Sequence, residues 1–125
     1  MKKRDFSFRD RVKSFEYAWN GLKILVKEEH NAWIHLAGLI GAVLFSFYFR
    51  LTPLEWVAIL LTIGNVFAFE LINTSIENVA DFISPDRHDQ IKKIKDLSAG
   101  AVLVSAIIAI LVGLIIFLPK FAAKF

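Results

Sequence analysis

The sequence predicts an all-α integral membrane fold, with an N-terminal amphipathic interfacial helix followed by three transmembrane helices. Three observations lead there. Long runs carry no Asp, Glu, Lys or Arg, while the charges gather in blocks between them; a bilayer imposes that segregation, since a charge near its centre costs several kcal/mol. The chain is 56% hydrophobic with a mean hydropathy of +0.54, too apolar for a soluble domain of 125 residues. The first block of charges alternates with apolar residues at helical spacing, the mark of a helix lying along an interface. At this length the chain is one domain, 1–125. It has no cysteine, which excludes a disulfide framework and a thiolate metal site. The net charge of +3 sits beside apolar helices and reads as contact with anionic headgroups rather than nucleic acid.

The amphipathic helix is expected over 7–29. Ser7 precedes Phe8-Arg9-Asp10 as an N-cap, and Asp10 suits the positive end of the helix. Phe8, Val12, Phe15, Trp19, Leu22 and Val26 recur in steps of four and three, with Asp10, Lys13, Glu16, Asn20, Lys23 and Lys27 opposite. The basic start at Met1–Arg4 runs into this stretch rather than into the apolar core of a cleavable signal. The first span is expected over 32–49, within the roughly 17–25 residues that cross a hydrocarbon core. Arg50 and Leu51 turn the chain. Thr52, Pro53 and Glu55 then form a capping box with proline at the first helical position, opening a span over 54–72. Helical spacing continues through Asn73, Glu77 and Asp81 until Ser84-Pro85 breaks it. A polar loop over 82–96 leads to a third span over 97–118. Lys and Arg number eight before the first span, one after it, four between the second and third, and two at the end. By the positive-inside rule the N-terminus and the 82–96 loop face the cytoplasm, and the C-terminus lies outside.

Glu70, Asn73, Glu77 and Asp81 fall within about 80° of one another at 3.6 residues per turn. A carboxylate at the end of an apolar span has to face the bundle or a wet cavity, which makes it a candidate functional group. Glu28-Glu29 and Lys95-Asp96 reach the same membrane face from two other segments. Phosphoryl transfer suits such a set. Mg²⁺ takes one or two carboxylates plus substrate phosphates, here Glu29 and Glu77, and a lysine neutralises phosphate charge. Glu70, deepest in the apolar part, is placed to take a proton from an alcohol. The same spacing also fits a polar clamp between helices. No G-x-x-x-x-G-K-[ST] loop is present, so ATP would be held by other means. His30 and His35 do not share a face; His35 is expected to bond a neighbouring helix. Trp33 and Trp56 read as interfacial anchors, and Ala99, Gly100, Ala101 and Ser105 as a small-residue packing side.

The run Glu70-Leu71-Ile72-Asn73-Thr74-Ser75-Ile76-Glu77, with Asp81 after it and Lys95-Asp96 at the head of the last span, resembles the prokaryotic diacylglycerol kinase family, which includes undecaprenol kinase. The resemblance covers nearly the whole chain. It implies a bacterial plasma (inner) membrane enzyme that phosphorylates a lipid alcohol with ATP and Mg²⁺, working as a homotrimer with shared active sites. Position by position, it makes Glu70 the proton acceptor and a lipid contact, and Glu29 and Glu77 the magnesium carboxylates beside the nucleotide. Asn73 and Asp81 support the cluster; Tyr17, Asp86, Arg87, His88, Lys95 and Asp96 contact the nucleotide, and Ala99 the lipid. The family often has a basic residue where Asp10 stands, leaving Arg9 or Arg11 to take that contact. Glu29-His30-Asn31 followed by Ile34-His35 is closer to the undecaprenol branch, which favours a polyprenol over diacylglycerol. Outside this family, the alternatives are a small multidrug-type transporter using Glu70 for protons or cations, and a non-catalytic membrane subunit.

Overall fold

A computed structural model describes residues 5–86 and 88–125; Met1–Arg4 and Arg87 lie outside the described residues. Four helices follow in order: α1 Phe8–Glu28, α2 His30–Tyr48, α3 Pro53–Ile83 and α4 Asp89–Lys124. The last three are long and apolar enough to cross a membrane.

Helix α1 starts where expected, with the Asp10 amide donating to Ser7 Oγ at 3.4 Å. Its apolar stripe is uncovered: Phe8, Val12, Phe15 and Trp19 are all exposed, and Leu25 alone is buried. A single extended residue, Glu29 (φ −106°, ψ 115°), ends α1 and begins α2. The chain therefore bends sharply at that carboxylate, and Ala32, 1% exposed, lets the helices come close there.

After α2, Arg50 adopts a left-handed φ of 53°. The Thr52–Glu55 box then forms in both directions, with Thr52 N donating to Glu55 Oε1 at 3.0 Å and Glu55 N to Thr52 Oγ1 at 3.3 Å. Helix α3 has 31 residues and α4 has 36, or about 46 and 54 Å at 1.5 Å per residue. Both exceed the ~30 Å hydrocarbon core, so each carries its polar end beyond it. They pack antiparallel as the main helical pair. Lys120 Nζ meets Glu55 Oε2 at 3.1 Å at one end, and Lys95 pairs with Asp81 at the other. Leu51, Ile59 and Ile116 form the apolar core near the Glu55 end, with Phe49, Trp56 and Phe117 against them.

The helix ends differ from the sequence expectation on the polar side. Residues 89–96, read as part of a loop over 82–96, are the first two turns of α4. His88 Nδ1 caps them by accepting from Gln90 N at 3.1 Å, Asp89 suits the first turn, and Lys92 reaches Asp96 at 2.6 Å, four residues on. Hydropathy marks where apolar residues stop, not where hydrogen bonding stops. The connection shrinks to 84–88. At its far end α4 continues beyond the 97–118 stretch through Pro119 to Lys124.

Candidate functional site

The polar end of the α3–α4 pair gathers side chains from every part of the fold. Glu70, 2% exposed, lies among apolar residues of α3, and His35 Nε2 of α2 approaches its Oε1 at 2.7 Å. One turn on, Asn73 is 7% exposed; its Oδ1 accepts from Ser98 Oγ of α4 at 2.6 Å, and its Nδ2 donates to Glu77 Oε1 at 3.3 Å. Both groups of the amide are thereby used, which fixes which way Asn73 points and ties α4 to the carboxylates of α3.

Glu29, at the α1–α2 junction, closes this row. Burial pushes its carboxyl above the ordinary 4.5; contact with the Glu77 carboxyl and the charge of Glu70 push the same way, and the nearby Thr74 hydroxyl opposes them. Two half-buried carboxyls facing one another repel when ionised, which is the environment a divalent cation relieves. Thr74 Oγ1 is buried beside them without a well-directed hydrogen bond of its own among the described residues. Among the described residues no set of three His, Cys, Asp or Glu side chains is arranged to hold a metal. The protein thus supplies two carboxylates, a donor set that suits a magnesium ion completing its shell with phosphates and water. Asn78 Nδ2, donating to Glu28 Oε2 at 3.2 Å, keeps α1 against α3 at this level.

Farther from the apolar zone, Asp81, Ser84, Asp86, His88, Lys95 and Asp96 are among the residues lining a pocket of about 380 Å³. Lys95 pairs with Asp81, while Asp96 pairs with Lys92. The adjacent Lys95 and Asp96 therefore face different partners on the rim of one pocket. Ser84 Oγ donates to the Asp86 carbonyl at 3.1 Å, shaping the short connection that bounds it.

Of the residues singled out in sequence, Glu29, Glu70, Asn73 and Glu77 come together in one row, and Asp81, Asp86, His88, Lys95 and Asp96 around the adjacent pocket. Tyr17 stands apart on α1, 70% exposed, and Ala99 is exposed on α4. Arg87 lies outside the described residues. Thr74 belongs to the Glu70–Glu77 run but carried no role of its own in it, and Ser98 was no part of the expected site. Ser98 had a signal, being a hydroxyl two residues after Asp96 in an otherwise small and apolar run, but its partner depends on how α4 is turned against α3.

A model of the prokaryotic diacylglycerol kinase family matches residues 16–117. The chain is 41% identical over 108 residues to an undecaprenol kinase of Bacillus subtilis (strain 168), covering 86% of this chain and 88% of that protein. It is 34% identical over 107 residues to a diacylglycerol kinase of Synechocystis sp., covering 85% of this chain and 61% of that one. With a diacylglycerol kinase of Escherichia coli (strain K12) it shares 26% identity over 117 residues, 88% of this chain and 90% of that one. With a match over most of its length to the family model and to these relatives, three helices apolar enough to cross a membrane and a row of carboxylates, Glu70 buried, at their polar end, this chain belongs to the prokaryotic diacylglycerol kinase family.

Proposed function

We propose that this membrane protein is an ATP-dependent lipid kinase that transfers the γ-phosphoryl group to a membrane lipid alcohol, undecaprenol in preference to diacylglycerol. The observation that carries the reading is Glu70: a carboxylate 2% exposed at the end of an apolar span, adjoining the row that leads through Asn73 to Glu77 and Glu29. A lipid lying in the bilayer can bring its hydroxyl to that depth, and ATP can approach from the aqueous pocket lined by Lys95. The hydroxyl oxygen attacks the γ-phosphorus, Glu70 takes the hydroxyl proton, and the bond to the β-phosphate oxygen breaks to release ADP. Asn73 holds Glu77 in place; Glu29 and Glu77 would hold Mg²⁺, which when bound neutralises phosphate charge. Lys95 is placed to exchange Asp81 for phosphate, and Asp86, His88 and Asp96 to border the nucleotide. Tyr17 and Ala99 are exposed in the single chain; in a homotrimer where subunits share sites they would serve nucleotide and lipid. The N-terminus and the 84–88 connection face the cytoplasm in this reading, with α1 in the interface.

Undecaprenol is favoured because the Bacillus subtilis relative at 41% identity is an undecaprenol kinase, while relatives at 34% and 26% are diacylglycerol kinases. A transporter is not favoured, since it leaves the Lys95–Asp81 pocket without a task. In mixed micelles with radiolabelled ATP and Mg²⁺, label is expected in undecaprenol faster than in diacylglycerol, with chelation of the metal abolishing both. No label in either lipid sinks the kinase reading; faster labelling of diacylglycerol reverses the substrate assignment.

A further inference from the structure

His35 is the one side chain that hydrogen-bonds the buried Glu70 among the described residues, at 2.7 Å to Oε1. With Glu70 ionised, as a proton acceptor has to be, its carboxylate can only accept, and this assigns the imidazole proton to Nε2 as the donor. The ring is itself held, with Phe67 of α3 edge-on at a centroid distance of 6.3 Å. Oε1 is thereby engaged, and Oε2 has no hydrogen-bond partner among the described residues. A buried carboxylate with one oxygen fixed and the other open is oriented rather than merely neutralised. His35 also lines an apolar groove of about 340 Å³ that runs between α2, α3 and α4 past Val66 and Phe67 towards Ile59 and Phe117. The side chain that holds Glu70 thus stands where an apolar chain lying in that groove would end.

We propose that His35 is a positioning residue for phosphoryl transfer: its Nε2–H holds Glu70 Oε1 so that Oε2 faces the incoming lipid hydroxyl. The inference rests on the lipid-kinase reading with Glu70 as the proton acceptor. A clamp that only joins α2 to α3 would use the same hydrogen bond, so the test has to separate orientation from packing. Glutamine can present an amide N–H where the Nε2–H lies, whereas leucine fills the space without a donor. Full-length His35→Leu and His35→Gln are assayed in micelles with radiolabelled ATP, Mg²⁺ and undecaprenol. His35→Leu is expected to lose kcat by about 10- to 100-fold, by analogy with the loss seen when a partner that orients a metal-ligating side chain is removed, with KM for ATP unchanged. His35→Gln recovers most of that loss. Independently of turnover, solid-state NMR of ¹⁵N-histidine protein in bilayers should show the His35 Nε2 resonance moving in Glu70→Gln. Wild-type kcat in His35→Leu overturns the inference while leaving the kinase reading intact. So does an equal loss in both His35 variants accompanied by lower thermal stability, which marks a packing clamp, or an Nε2 resonance indifferent to Glu70→Gln. A wild-type protein that labels no lipid removes the reading and the inference with it.

Discussion

At the Glu55 end of the α3–α4 pair, apolar side chains interlock: Leu51, Ile59 and Ile116 are buried, and Phe45 and Phe49 both approach Phe117 and Phe121 at ring distances of 5.2–6.2 Å. At the Glu77 end of the same helices, Glu70, Asn73, Thr74 and Ser98 are buried and carboxyls from two segments face one another. Packing and capping account for the first arrangement. The second sets like charges together and leaves the Thr74 hydroxyl without a well-directed bond, which costs free energy that apolar residues of similar shape would avoid. Within one pair of helices, one end supplies stability and the other holds the strain expected of a site that acts on a charged ligand.

Substitutions can break that contrast, and the largest effect belongs to the polar end. Glu70→Gln should lower lipid phosphorylation by at least about 10²-fold, the low end of general-base contributions, while circular dichroism and assembly stay as in the wild type. Wild-type turnover would remove Glu70 as the base. At the apolar end, Ile59→Ala should cost about 2 kcal/mol of stability, read by thermal denaturation in detergent, with the specific activity of folded protein retained. A loss of activity without a loss of stability would dissolve the division between the ends.

Ser98→Ala removes the donor to Asn73 Oδ1 and should cost about 1 kcal/mol, with reduced activity as Asn73 loses its fixed direction. The Glu29 carboxyl offers a test by pH. Its folded-state value is raised, so as pH rises from 4.5 towards that value the unfolded chain ionises while the folded chain keeps its proton. Stability without metal should therefore fall across that window and stay lower above it. Glu29→Gln should not show the fall, and Mg²⁺ should reverse it in the wild type. A wild-type profile that rises over the same window would contradict the facing carboxyls. The smallest effect is expected from Lys120→Met. Its pair with Glu55 is part-exposed at an interface, and losing it should change stability by less than about 1 kcal/mol.

Local chemistry made much of this legible from the chain alone. The Thr52–Glu55 box, the Ser7 cap and the break at Ser84-Pro85 depend on neighbours within a turn, and each appears where the residues predict it. The three spans follow from charge-free length, because water and hydrocarbon treat a charge so differently. The row from Glu70 to Glu77 was visible because helical spacing is regular enough to place residues on a face. Hydropathy could not set the start of α4, since residues 89–96 are polar apart from Ile91 and Ile94 and propagate as helix through His88, Asp89 and the Lys92–Asp96 pair. Nor does spacing say which way a helix is turned against its neighbour. The meeting of His35 with Glu70 and of Ser98 with Asn73, and the approach of Glu29 to Glu77, span 35, 25 and 48 residues respectively. Those pairings depend on the rotation and depth of packed helices, which no local pattern encodes. The sequence alone determined that acids would gather at one polar end; tertiary packing decided which are buried, which are paired, and which oxygen of Glu70 stays open.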